Sequence, residues 1–239
     1  MTQQEITLLN LGQSLDDLAN LDPRGYGVCK ILYAGSRPLA GKPLCINAAE
    51  KLVATLKEND IVYILTGFVL RPFKKAETDG IISSMLLCRA LVKAFGVKPV
   101  IICPEENRKA VENMSACVGL HLREDFEELK SIPVSMGMIT FTKDAEKAPA
   151  MADEILSMLP PAAVISIEAP GCNELGVYHN AIGLEVTELE AKMDVLFEKA
   201  QAMGILNIAI GDLGNEIGMG AIAETLERSI PYAAKGRCS

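Results

Sequence analysis

Tryptophan is absent and aromatic residues make up only 5% of the 239 positions, so the core has to be aliphatic, built from Val, Ile, Leu, Ala and Met. Positive charge is also scarce. Against 31 Asp and Glu stand 23 Lys and Arg, a formal net charge of −8. Nucleic-acid binding needs a cationic face, and the one tight basic cluster is Arg71, Lys74 and Lys75, which argues against a nucleic-acid partner. Histidine is limited to His121 and His179. The seven cysteines (Cys29, Cys45, Cys88, Cys103, Cys117, Cys172 and Cys238) contain no C-x-x-C pair, which argues against a thiolate zinc site. Their odd number and scatter through apolar runs suit reduced thiols in a cytoplasmic protein. No stretch approaches the ~20 apolar residues of a membrane helix, and Met1 to Asn10 lack the charged-then-apolar pattern of a secretory signal. No membrane partner is expected.

What is present is a series of short apolar runs. Ile61–Thr66, Pro99–Cys103, Val134–Phe141, Val164–Glu168 and Ile205–Ile210 are continuous rather than alternating, as in central strands of a parallel sheet covered on both faces. Between them, Ala48–Lys57, Gly80–Phe95, Glu105–Met114, Asp144–Leu159 and Glu190–Met203 carry apolar residues at helical spacing, and Gly96 and Gly204 stand as helix stops before the next strand. This alternation predicts an α/β fold: a doubly wound, mostly parallel sheet with helices on both faces, three-layered and Rossmann-like. Residues 1–45 read as an irregular N-terminal segment with one helix over Ile6–Asn20, the Gly- and Pro-containing stretch Asp22–Pro43 wrapping the surface. Residues 46–239 read as the α/β domain, with Pro160–Pro161 as the best candidate break between lobes.

Ligands of open parallel sheets bind beyond the carboxyl ends of the strands. Three loops there are chemically unusual. The first ends Glu77-Thr78-Asp79-Gly80 and opens a helix, where Thr78 or Asp79 would also serve as an ordinary N-cap. The second begins at Glu168, a carboxylate closing an apolar strand, and carries Asn173, Tyr178, His179 and Asn180. The third, Gly211–Gly220, has four glycines in ten residues around Asp212, Gly214, Asn215 and Glu216. A sharp turn accounts for Gly214 and Asn215. Gly218 and Gly220 are left over, each weakening a helix by roughly 1 kcal/mol relative to Ala.

Two nucleotide motifs are weak. Gly218-Met-Gly220-Ala-Ile-Ala223 fits G-x-G-x-x-A but does not directly follow a strand. Gly35 to Lys42 has one spacer too many for a phosphate loop, and Pro43 stands where a magnesium-binding hydroxyl belongs. If the strands are neighbours, Glu77, Asp79, Glu168, Asp212 and Glu216 converge. Such a cluster must keep a proton, bind a cation or hold a ligand ammonium. Asp79, Glu168 and Asp212 are the candidate metal set; such oxygens favour magnesium or calcium, and Mg2+ is the one cofactor candidate.

The motifs Glu77-Thr78-Asp79-Gly80, Ile167-Glu168-x-Pro170-Gly171, Gly176-x-Tyr178-x-Asn180 and Gly211-Asp212-x-Gly214-Asn215-Glu216-Ile217-Gly218-Met219-Gly220 resemble the C-terminal domain of D-glutamate cyclase, from about Ile61 onward. The resemblance implies a lyase converting D-glutamate, or a related amino acid, to 5-oxo-D-proline with loss of water. It places Glu77, Asp79 and Asp212 as proton-transfer groups. It places Thr78, Gly80, Glu168, Asn173, Tyr178, His179, Asn180, Gly214, Asn215 and Glu216 around the substrate, with backbone amides near Gly214–Asn215 holding a substrate carboxylate. Similar sequences usually carry Arg where this chain has Ala169, Cys172 and Ile182, and the family domain normally continues beyond the position of Ser239. The partner is thus a small amino acid. A non-catalytic module binding a small ligand or cation is the alternative, a nucleotide-dependent enzyme the third reading, and a homo-oligomer is left open.

Overall fold

In the computed structural model, residues 1–233 are described; Cys238 and the end of the chain at Ser239 lie outside them. Helices α1 (Gln3–Ala19), α2 (Val28–Ala40) and α3 (Leu44–Thr55) precede strand β1 (Ile61–Thr66). A short hairpin, β2 (Val69–Leu70) and β3 (Lys75–Ala76), leads to α4 (Ile81–Phe95). Then follow β4 (Lys98–Cys103), α5 (Arg108–Cys117), β5 (His121–Arg123), α6 (Phe126–Ser131), β6 (Ser135–Thr140), α7 (Ala148–Met158), β7 (Ala163–Ile167), α8 (Met193–Ala202), β8 (Leu206–Ile210) and α9 (Ala223–Ser229).

The main sheet has six strands in the order β5-β6-β4-β1-β7-β8, and every pairing in it is parallel. Alternate residues of the apolar runs feed two cores. Val62, Ile64, Ile101, Cys103 and Ile165 pack under α4 and α5, whereas Tyr63, Leu65, Val100, Ile102 and Val164 pack under α6, α7 and α8. The result is a three-layer, Rossmann-like α/β fold. The connection after β1 leads towards β4 and that after β6 returns to β7 on the other side of β1, so the strand order reverses beside β1. This is where a parallel sheet opens a crevice at its carboxyl edge.

Two expectations are revised. Residues 28–40 do not wrap the surface as loop but form α2, with Gly27 and Gly41 in left-handed conformation at its ends. Pro38 sits inside that helix; the periodic Val28, Leu32 face outweighs it by packing on Ile222 and Leu226 in a third core. Pro160–Pro161 is not a lobe boundary, because β7 beyond it pairs directly with β1. The strand β5 and the β2–β3 hairpin were not foreseen; both are too short to show a period. Buried Asp16 ties the N-terminal helices together, accepting hydrogen bonds from the backbone N–H of Leu44 (2.7 Å) and Cys45 (2.8 Å) at the start of α3 and from the Tyr33 hydroxyl (3.0 Å). The six described cysteines are free thiols, and no helix among the described residues is long and apolar enough to cross a membrane.

Candidate functional site

β1, β7 and β8 are adjacent, so the loops that follow them meet at one edge of the sheet. Backbone hydrogen bonds stitch them together. The N–H of Glu168 donates to Ile210 O (3.1 Å), while the N–H of Gly67 donates to Glu168 O (3.0 Å), so Glu168 bridges the other two strand ends. Its φ of +47° is unusual for a residue with a side chain and lifts the carboxyl off the line of the strand. Gly80 brings the first loop against it: a Cβ there would lie 2.7 Å from the Cβ of Glu168 and 2.7 Å from Thr66 Oγ1. The second and third loops run antiparallel, Gly171 N–H donating to Asn215 O (3.0 Å) and Ile217 N–H to Ala169 O (2.9 Å).

Glu77, Asp79, Glu168, Asp212 and Glu216 all line one cavity of about 280 Å³. Burial raises the Glu168 carboxyl to about 9, reinforced by the charges of Glu216, Asp212, Asp79 and Glu77. Burial likewise raises Glu77, with Asp79 adding to it. Asp212 is raised by burial too, but Arg24 pulls it back down through an ion pair and hydrogen bond. Glu216 is the most enclosed. Burial pushes it up, while its Oε1 accepts from the N–H groups of Asp212 and Leu213 (both 2.8 Å) and its Oε2 from Gly214 (2.7 Å). Donors of that kind stabilise an anion, so of the adjacent Glu168 and Glu216 it is Glu168 that keeps the proton.

That arrangement redirects the amides expected to hold a substrate carboxylate: the Gly214 N–H is already taken by Glu216, and Gly214 is not in the cavity wall. Of the other anticipated residues, Asn180 and Asn215 line the cavity and Thr78, Gly80, Asn173, Tyr178 and His179 do not. Asn173 shapes a turn, its Oδ1 accepting from Leu175 and Val177 N–H (both 3.0 Å). Tyr178 is buried and donates its hydroxyl to Asp194 Oδ1 (2.5 Å) beneath the Lys192 ammonium, 4.2 Å from its ring centre. His179 contributes its backbone carbonyl, accepting from Asn215 Nδ2 (3.0 Å). Neither Thr78 nor Asp79 caps α4. Gly80 occupies the cap position without a side-chain bond, and Asp79 Oδ1 accepts the Gly80 N–H (2.9 Å).

The structure adds wall residues that sequence reasoning passed over: Arg24, Arg71 and Glu190, with Phe68, Val69, Leu70 and Val186 as an apolar side. Glu190 is almost fully buried, its carboxyl raised to about 8 by burial, and it accepts the Val69 N–H at the root of the hairpin (3.2 and 3.3 Å to its two oxygens). By spacing it opens the helical pattern Glu190–Met203, but α8 begins only at Met193. Arg24 lay in a segment without periodicity, so its position offered no signal. For a cation, oxygens of Glu168, Asp212 and Glu216 come within 4.8 Å of one another. Asp79, expected in that set, is not part of the group, whereas Glu216 is.

The class defined by fold and cavity is a three-layer α/β protein with an acidic cavity at its strand-order reversal. Over residues 15–239 the chain matches the family described as D-glutamate cyclase-like, C-terminal, and it belongs to that family. The match begins well before Ile61 and takes in Arg24. No curated protein matches the chain. Among solved structures, a short-chain type dehydrogenase/reductase from Mycobacterium ulcerans is 13% identical with a TM-score of 0.37, covering 76% of this chain and 65% of that one, and carries no argument about function.

Proposed function

We propose that the chain is a lyase of the D-glutamate cyclase type, closing D-glutamate, or a related amino acid, to 5-oxo-D-proline with release of water. The observation that carries this reading is the convergence of acidic side chains from three loops in a cavity of about 280 Å³, with Glu168 the one whose carboxyl burial and neighbouring charges raise to about 9. Such a volume lies near the lower end for small-molecule sites and suits an amino acid. In the reaction the amine nitrogen bonds to the γ-carbon and one γ-carboxyl oxygen leaves. The ammonium gives up two protons and the departing oxygen takes two, so the overall change is the loss of one water. A base must accept from nitrogen and an acid must donate to oxygen. Asp212, Glu77 and Asp79 are the acceptors at hand, and Glu168 is the donor. Holding the chain folded, amine against γ-carbon, supplies much of the remaining acceleration.

Single substitutions Asp79→Asn, Glu168→Gln and Asp212→Asn test the assignment. The expected result is loss of about 100-fold or more in turnover for Glu168→Gln, the scale of general acid–base catalysis. Full activity in all three would remove the site.

A second reading, a module that binds a cation without turnover, draws support from the approach of Glu168, Asp212 and Glu216. The three backbone N–H groups already on Glu216 weigh against it, since they compete with a metal for the same oxygens. Melting curves with Mg2+ alone and with D-glutamate alone separate the two readings, because each ligand stabilises only the protein that binds it. The nucleotide-dependent reading is disfavoured by charge: six acidic side chains against two guanidinium groups line the cavity, a balance that repels phosphate.

A further inference from the structure

The cavity wall contains two guanidinium groups, and they are not equivalent. Arg24 is paired to Asp212 and lies over the Tyr26 ring, 5.4 Å from its centre. Arg71 faces the same cavity from the β2–β3 hairpin and has no hydrogen bond or ion pair among the described residues. The hairpin is held in place. Its root is fixed by the Val69 N–H on Glu190 and by the Glu77 N–H on Phe68 O (2.9 Å), and its turn by the Lys74 N–H on Leu70 O (2.8 Å). A hydrogen-bonded hairpin therefore brings one uncommitted cation into the same cavity wall as the Glu168 carboxyl and the Asp212 carboxylate. Apolar Phe68, Val69 and Val186 lie in the same wall.

From this sharing of one cavity by an unpaired guanidinium and an acid cluster we infer that Arg71 is the carboxylate anchor of a zwitterion site: the ligand is a free amino acid, its ammonium towards the acids and its carboxylate on the Arg71 fork. An amine without a carboxylate would leave Arg71 unpaired, and a dianion without an ammonium would meet the acid cluster. A planar guanidinium can take a carboxylate through two parallel N–H bonds, which a lysine ammonium cannot reproduce. The inference rests on the cyclase reading for the identity of the amino acid. For D-glutamate it gives Arg71 the α-carboxylate, the group that does not react, and leaves the γ-carboxyl to Glu168.

The test is calorimetric titration of the intact chain with D-glutamate and with 4-aminobutyrate, which keeps the amine and the distal carboxyl but lacks the α-carboxylate. Both are run on wild type, Arg71→Ala and Arg71→Lys. Arg71 is exposed on a hairpin, so the variants fold; unchanged melting curves check this. Wild type is expected to prefer D-glutamate. Arg71→Ala should weaken D-glutamate by about tenfold to a hundredfold while leaving 4-aminobutyrate nearly unchanged, with Arg71→Lys between. Equal weakening of both ligands, or none, overturns the anchor. Wild type that binds neither also overturns it. Wild type that binds D-glutamate with the expected Arg71 dependence yet forms no 5-oxo-D-proline keeps the zwitterion site and removes the cyclase. Turnover with an Arg71→Ala KM equal to wild type does the reverse.

Discussion

The Arg24 guanidinium is bonded to the Asp212 carboxylate 188 positions further along the chain, so the N-terminal segment completes a cavity otherwise made by strand-end loops. Arg24 lowers the Asp212 carboxyl against the upward pull of burial. Arg24→Met is therefore expected to move the Asp212 titration to higher pH, read by NMR of the side-chain carboxyl carbons. An unmoved midpoint would show that the pair does not form in solution. Both partners are partly exposed, so global stability should change by no more than about 1 kcal/mol.

Glu168 gives a pH dependence with a definite sign. Its folded carboxyl titrates near 9 and its unfolded one near 4.5, so between these values the native state holds a proton that the unfolded chain has lost. Stability is then fully present below about 4.5 and declines as pH rises towards 9. Glu168→Gln keeps the neutral shape and removes the titration. Urea denaturation at pH 6 and pH 8.5 should show the variant gaining on wild type at the higher pH. A constant difference between the two would contradict the assigned proton.

Gly211 lies beneath the Glu216 side chain, where an added Cβ would sit 2.6 to 2.8 Å from Glu216 carbons. Gly211→Ala has to displace a carboxylate held by three amides. Overpacking of that kind costs about 1–3 kcal/mol, measurable as a lower urea midpoint with unchanged slope. Wild-type stability would mean that Glu216 does not lie over Gly211.

Tyr178 separates structural from chemical roles in the second loop. Tyr178→Phe deletes the hydroxyl that Asp194 accepts and leaves that buried carboxylate short of a donor. A loss of about 1–3 kcal/mol in stability is expected, with KM for the amino acid unchanged because the hydroxyl does not reach the cavity. A raised KM at unchanged stability would return Tyr178 to the substrate.

Much of this arrangement was legible before any coordinates. The runs Ile61–Thr66, Val164–Glu168 and Ile205–Ile210 are neighbours, buried or half-buried except at Ile210, because continuous apolar strands need cover on both faces, and their adjacency brings the five acids together. What stayed hidden depended on direction and distance. Nothing local in Gly176-x-Tyr178-x-Asn180 says that the tyrosine turns inward to Asp194 while the asparagine faces the cavity. Gly218 looked superfluous until its φ of +89° placed it in left-handed conformation against Ala209. Arg24 and Arg71 sit in stretches whose pattern carries no period, Glu190 opens the helical pattern Glu190–Met203 without a sign that it turns to the site, and only the folded sheet edge brings the three into one cavity wall with Glu168.

The cradle of amides at residues 212–214 has a resident guest in the chain's own Glu216. Peptide dipoles that would otherwise attract passing phosphate or chloride are satisfied when the protein folds. An incoming molecule finds that loop already set, and none of its binding energy is diverted to ordering it.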